Sequence, residues 1–470
     1  MRTDRRQTNC FAAALGILGL SLSLHACGLL GSKGNEPKGD EHLPLSGVGP
    51  YLKEDQDCQV DFVQPIFMSP PDAGVYWGEP CAAAEGGSEF RLFFEERRPV
   101  AADPREAEVD IVQQRLEIVP APADSCRTRD IRFLSPSGER LPEPQPTLVL
   151  RDAGAPALMR EGGLWRMWYG MENGLGIGYA EFREDPDGDL VLQEEESLAP
   201  VLAPSEAWEG GYVGSPSVLR NPVLGTYQLY YEGNIFCDDK PPFPPGPDVC
   251  HRAIGYATSP DGISWTKRDA AGRNSADHPG AVEPLLTPTQ TTWETHYPSQ
   301  PRSGTLGTPH VILHRSPVRT LYYLYYTGNL QGHPVQLPPL DFANDVDTSI
   351  GLAGSMDGVN WVKASVIQEF GQTAWEVNPI LNEVFPLDVV NKLWIQLGGP
   401  GYQLKVQGSS NVFFPPVVVD EIAPCVLDLG TAFFMFFEQI STAISFEPEP
   451  GQPLLEPIRG LAFALVEREG

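Results

Sequence analysis

The stretch IGYATSPDGISWTK, residues 254–267, occurs a second time as IGLAGSMDGVNWVK at residues 350–363. In each copy an alternating apolar run, Ile254 and Tyr256 or Ile350 and Leu352, meets the turn signal Asp261-Gly262 or Asp357-Gly358. A second short run follows, carrying Trp265 and Lys267 or Trp361 and Lys363. Strand, tight turn and strand make a hairpin, since Gly accepts the positive φ that such turns need. A hairpin that recurs after 96 residues belongs to a repeat architecture.

Working outward from the two copies lengthens the unit. YQLYYEG (227–233) precedes the first and YYLYYTG (322–328) the second. The same aromatic pattern appears as FRLFFE from Phe90, WRMWY from Trp165 and FFMFFE from Phe433, with a degraded version, LWIQL, from Leu393. Nine to fourteen residues before each stands a proline: Pro80, Pro156, Pro216, Pro309, Pro379 and Pro424. Most units also carry a proline followed by two apolar residues, as in Pro200-Val201-Leu202 and Pro284-Leu285-Leu286. Six units share this order.

The fold class is therefore all-β, a single β-propeller with six repeat units counted. A small sheet stacked between two others is buried on both faces, which explains strands as continuously apolar as YQLYY; a sheet with one wet face alternates instead. A β-sandwich with recurring aromatic strands is the competing fold, and the fixed order of elements across the units speaks against it. Forty-seven prolines and 47 glycines fit many short strands and turns. The strand-like VDFVQPIF, residues 60–67, is expected to complete the last unit, Ala423–Glu467, which otherwise has three strands. That closure leaves no free edge.

A formal net charge of −29 speaks against nucleic acid as a partner, because phosphates are repelled, and disfavours attraction to anionic lipid. Residues 1–26 read as a signal peptide: Arg2, Arg5 and Arg6 precede an apolar run, Phe11–Leu24, that is short for a span. It ends in Leu24-His25-Ala26-Cys27, which resembles a bacterial lipobox despite His25. That resemblance implies cleavage before Cys27, lipidation of Cys27, and, with Gly28 next, sorting to the outer membrane of the cell envelope. An ordinary secretory signal with a chance cysteine is the alternative. Residues 27–57 read as a flexible tether and 58–470 as the propeller domain, expected to be monomeric.

Six cysteines remain in the mature chain: Cys58, Cys81, Cys126, Cys237, Cys250 and Cys425. An even number in an exported chain suggests disulfides. Cys237 with Cys250 closes a proline-rich loop; the other four cysteines allow three pairings, of which Cys81 with Cys425, joining the first and last units of a closed ring, and Cys58 with Cys126 are expected. A zinc site is the weaker reading, for no CxxC and no cysteine–histidine cluster of ligand spacing occurs. No phosphate loop, GxSxG or HExxH is present, and no cofactor or metal is expected.

The order "small-Pro-x-Val, YxLYYxG, IGYATSPDGISWTK" resembles the five-bladed propellers of the furanosidase superfamily, glycoside hydrolase families 43 and 32 and their relatives. The resemblance covers most of residues 79–467 and is best in units two to four. It implies five blades rather than six, a central mouth ringed by the x-Pro motifs, and acids around three of those positions. Here the x residues are Glu79, Ala155, Ser215, Thr308, Asn378 and Ala423, so only one is acidic and the family's acidic triad is not matched.

Hydrolysis of a glycosidic bond needs two carboxyl groups, one a proton donor with raised pKa. Glu79, Asp152 and Glu209 are the candidates for acid, base and orienting carboxylate. Trp77, Trp208, Tyr212, Trp293 and Trp375 are candidate rings for stacking on a sugar, and each has the competing role of a wedge between blades. Glu294, His296, His310 and Glu376 complete the candidate binding set. Each Glu of a Trp-Glu pair (Glu209, Glu294, Glu376) has a competing structural role, accepting backbone N–H bonds at a turn. The functional expectation is a surface-anchored lipoprotein whose propeller binds carbohydrate, with glycoside hydrolysis as its further possibility. The alternatives are a non-catalytic propeller that binds glycan or protein at the same mouth, and a structural surface scaffold.

Overall fold

The structure, a computed structural model, describes residues 52–53, 67–68, 75–100, 103–122, 129–171, 176–195, 199–238, 249–288, 305–315, 320–328, 349–363, 417–430, 432–443 and 458–467. They form five antiparallel sheets, here blades I to V. The innermost strands are Tyr76–Gly86, Ala153–Glu161, Val213–Arg220, Leu306–Arg315 and Val417–Asp428. Each touches the next, and the fifth touches the first, so the ring is closed. The chain is a five-bladed β-propeller. The fifth of the six expected units, Asn378 to Val418, is not a blade of this ring, because the innermost strands of blades IV and V are direct neighbours. Its Pro379 and LWIQL segments lie outside the described residues.

Closure follows the expected route. The third strand of blade V, Ile458–Glu467, pairs on its outer side with Phe67–Met68 and with Leu52–Lys53. A piece of chain N-terminal to blade I thus finishes the last sheet. The pairing also recruits Leu52–Lys53, from the segment read as tether.

The aromatic motif is the second strand of every blade, and its consecutive pair of rings explains the stacking. Successive side chains of a strand point to opposite faces. Phe93 enters the cluster shared by blades I and II while Phe94 enters that of blades V and I. Trp168 and Tyr169, Tyr230 and Tyr231, Tyr325 and Tyr326, and Phe436 and Phe437 divide in the same way. Five apolar clusters result, one in each gap between neighbouring blades.

The recurring hairpin locks this stacking from the outer side. Val249–Ser259 pairs with Thr266–Arg268, and Ser349–Ser355 with Val362–Lys363. Gly262 and Gly358 take φ of 87° and 77° in the turns. The Asp261 carboxylate accepts the N–H groups of Ile263 and Ser264, at 2.9 and 2.7 Å, and Asp357 does the same for Val359 and Asn360. Each turn then presents its glycine carbonyl to the preceding blade: Trp168 Nε1 donates to Gly262 O at 2.7 Å, and the Tyr230 hydroxyl to Gly358 O at 2.8 Å. Trp265 and Trp361 pack edge-on against Trp168 and Tyr230.

Cys81 and Cys425 meet in the gap between blades V and I, as the closed ring requires, but as two free buried thiols and not as the expected disulfide. Cys425 Sγ accepts the Ala82 N–H at 2.9 Å, a hydrogen bond that satisfies the sulfur without a covalent link. Cys237 and Cys250 stand opposite each other in the ladder of blade III. Their side chains, and Cys58, Cys126 and Cys27, lie outside the described residues.

Replacing Trp168 by Phe keeps the ring in its cluster and removes the donor to Gly262 O. A buried carbonyl left unpaired costs about 1–3 kcal/mol. Urea denaturation should show a lower midpoint with an unchanged m value.

Candidate functional site

Each of the five x-Pro motifs among the described residues sits at a β-bulge of an innermost strand. In the ladder, register shifts fall between Gly78 and Cys81, Gly214 and Ser217, Gly307 and His310, and Ile422 and Cys425, with the matching shift in blade II opposite Ala155. The residue before each proline is left-handed: φ is 42° at Glu79, 46° at Ala155, 42° at Ser215, 43° at Thr308 and 53° at Ala423. Proline suits the bulge because it has no N–H to leave unpaired. Together with His310 the five x-Pro pairs line a central cavity of about 290 Å³, the open solvent at its mouth included.

A side chain of the preceding blade holds four of these strained positions. The residue that closes the aromatic motif, Glu95, Glu232, Thr327 or Glu438, points across the gap. Glu95 Oε1 accepts the Ala155 N–H at 2.6 Å, and Glu232 Oε2 the Thr308 N–H at 2.9 Å. Thr327 Oγ1 accepts the Ala423 N–H at 2.9 Å, and Glu438 Oε2 the Glu79 N–H at 3.3 Å. These clasps run from blade to blade around the mouth. Two guanidiniums sit among them. Arg97 bridges Glu95 and Glu79, and Arg252 Nη1 lies 3.2 Å from Glu232 Oε1.

Among the described residues, Glu79 is the one candidate acid that the fold brings to the cavity. Its Oε1 accepts from Arg97 at 3.4 Å and its Oε2 from the Ser215 hydroxyl at 3.4 Å. Burial pushes its pKa well above the usual carboxylate range; Glu95, Glu232 and Glu438 add to this by repulsion, and Arg97 opposes it. Tyr212 does not line the cavity; its hydroxyl donates to Glu232 Oε1 at 2.9 Å. Burial, with the nearby Glu232 charge, raises the pKa of that phenol. His310 lines the cavity, and its Nε2–H donates to Val426 O at 2.9 Å, which leaves Nδ1 as an acceptor. Burial lowers its pKa to about 4, so the ring is neutral at physiological pH.

The other candidates stand elsewhere. Asp152 is exposed and does not line the cavity; its own N–H donates to Asp110 Oδ1 at 3.2 Å. Glu209 is fully buried in the gap between blades II and III, where its carboxylate accepts the N–H groups of Ser205 and Glu206 and the Tyr231 hydroxyl. Lys267, the last residue of the recurring hairpin, meets it at 2.6 Å. Glu209 thus binds a turn and does not line the cavity. Trp208 stacks on Tyr231 at 5.9 Å, and Trp77 packs against Phe94 while donating to Glu96. Both are wedges between blades, buried in apolar clusters. Trp293, Glu294, His296, Trp375 and Glu376 lie outside the described residues.

Sequence reasoning missed Glu95, Glu232, Glu438, Arg97 and Arg252. The signal for the first three was the acid closing FFE, YYE and FFE in the repeated motif.

No family model and no curated protein sequence matches the chain. Among solved structures it is similar to a thermostable family-43 glycoside hydrolase, at 13% identity over 84% of this chain and 91% of that one, with a TM-score of 0.38. It is also similar to a glycosyl hydrolase from Bacteroides ovatus, at 11% identity over 88% and 93%, with a TM-score of 0.44. A third is an α-L-arabinofuranosidase from Podospora anserina in complex with cellotriose, at 11% identity over 89% and 96%, with a TM-score of 0.42. The five-bladed ring itself rests on the sheets and contacts of this chain.

Two outcomes are expected. Lys267→Met strands the buried Glu209 carboxylate and should cost about 3–5 kcal/mol in chemical denaturation, most of it recovered in the Lys267→Met/Glu209→Gln double variant. For Glu79 the folded pKa lies above the unfolded one, so the native state loses stability as pH rises from 4.5 upward. Thermal melts should therefore show Glu79→Gln gaining on the wild type above pH 4.5, with no gain below it.

Proposed function

We propose that the protein is a lipid-anchored, extracytoplasmic propeller whose mouth binds neutral carbohydrate and does not hydrolyse it. One observation carries the reading: of the five x-Pro residues that line the mouth, Glu79 alone is acidic. Glycoside hydrolysis needs a second free carboxyl group across the bond, about 5–9.5 Å from the first. Among the described residues, the other carboxylates at the mouth are Glu95, Glu232 and Glu438; each accepts a backbone N–H of the next blade, and Glu95 and Glu232 also meet a guanidinium. Their geometry suits them to holding the ring, not to activating water.

Binding is supported by the convergence of groups that suit hydroxyls. Ser215, Thr308, His310 and the Glu79 carboxyl group, whose pKa burial raises, line one cavity, and the Tyr212 hydroxyl donates to the clasp carboxylate of Glu232. The motif order that resembles the furanosidase propellers points to the same ligand class. Anchoring through Cys27 and exposure in the cell envelope rest on the lipobox-like LHAC and the basic and apolar stretch before it.

The purified domain, assayed on a glycan array and with a panel of aryl furanosides and pyranosides, should bind a neutral sugar and release no aryl group. Turnover that disappears in Glu79→Gln would make it a hydrolase instead, and no binding to any sugar would remove the reading.

A further inference from the structure

The clasp around the mouth is complete at four gaps and interrupted at one. In the ladders, the clasping residue is always the partner of the residue just before x: Glu95 pairs with Gly78, Glu232 with Gly214, Thr327 with Gly307 and Glu438 with Ile422. In blade II that position, opposite Gly154, is Gly170. It has no side chain to send toward blade III. Among the described residues, no side-chain oxygen of blade II accepts the Ser215 N–H, although Ser215 has the same left-handed backbone as its four counterparts.

The place is open as well as unclaimed. A Cβ built on Gly170 meets nothing nearer than Gly154 O at 3.5 Å and the Ala155 Cβ at 3.9 Å. The Tyr212 hydroxyl approaches Gly214 on the blade III side, but it donates to Glu232. Beyond the gap stands the Glu79 carboxyl group, already within 3.4 Å of the Ser215 hydroxyl. A buried N–H without an acceptor is costly, and a ligand oxygen placed there removes the cost.

We infer that the gap between Gly170 and Ser215 is a hydroxyl subsite: a hydroxyl of a neutral sugar takes the place of the missing clasp oxygen, accepts the Ser215 N–H and donates to the Glu79 carboxyl group. The ligand oxygen is a hydroxyl rather than a carboxylate. Four carboxyl groups (Glu79, Glu95, Glu232, Glu438) face two guanidiniums (Arg97, Arg252) at this mouth, and a further anion is repelled. The inference rests on the carbohydrate-binding reading and assigns the oxygen that anchors the sugar.

Returning the clasp to the chain tests it. Gly170→Thr copies the solution of blade IV, and Gly170→Glu that of blades I, III and V. Isothermal titration with methyl α-L-arabinofuranoside and methyl β-D-xylopyranoside, together with the tightest neutral sugar from the array, reads the binding. Each variant should weaken binding by about tenfold or more. Without sugar, Gly170→Thr should raise the melting temperature by about 2 °C, since the chain now satisfies its own N–H. A folded variant that binds as tightly as the wild type overturns the inference, because water alone then fills the place. Failure of both variants to give a cooperative melt overturns it too, since the place is then not open. A wild type that binds none of the sugars overturns instead the reading beneath it.

Discussion

The structure depends on one arrangement: two consecutive aromatic rings on the second strand of each blade, facing opposite ways into two different gaps. Tyr230 packs toward blade IV and Tyr231 toward blade II, and the corresponding pairs in the other blades do the same. Each such ring, fully buried, contributes about 2–3 kcal/mol by leaving water. No blade can collect that contribution alone, because both faces are covered only by neighbours. Cohesion is therefore nearest-neighbour and cooperative around the ring. It also demands closure, since a missing blade would expose a whole apolar face on either side of the break.

Hydrogen bonds then specify what the rings only attract. On the outer side the Asp-Gly turns hand a carbonyl to Trp168 or Tyr230 of the preceding blade. On the inner side Glu95, Glu232, Thr327 and Glu438 hand an oxygen to the next blade's left-handed residue. A left-handed non-glycine residue costs about 1–2 kcal/mol, and the clasp is what holds it. The mouth is thus a belt of strained backbone held from behind by buried oxygens. Such a belt presents x-position side chains toward the channel with little freedom to move.

In a repeat, departures from the pattern carry the chemical meaning. Among the described residues Glu79 is the only acidic x residue at the mouth, and burial and three neighbouring acids push its pKa up. Among the described residues Gly170 is the only clasp position without a side-chain oxygen. Ser215 links the two: its hydroxyl lies 3.4 Å from Glu79 Oε2, and its N–H is the one that a clasp at Gly170 would meet. The three clasp acids, by contrast, are acidic for a reason that has nothing to do with a ligand: a carboxylate is a strong acceptor for a buried N–H, and Arg97 and Arg252 balance part of its charge.

The sequence by itself determined the propeller class, the hairpin, the placement of x-Pro at the mouth and the N-terminal completion of the last blade. All of these follow from local periodicity repeated in a fixed order, which stacking neighbours must obey. It also placed Cys81 beside Cys425, because ring closure makes the first and last units adjacent. Only the tertiary structure decided the number of blades, since a degraded unit such as LWIQL reads like a strand whether or not it joins the ring. Only the tertiary structure separated Glu79 from Glu209 and Asp152. All three are acids near a blade's inner end in sequence, but one faces the channel, one is buried against Lys267 and one lies in solvent. Direction of a side chain across a gap is a property of two blades at once, and no single stretch of chain contains it.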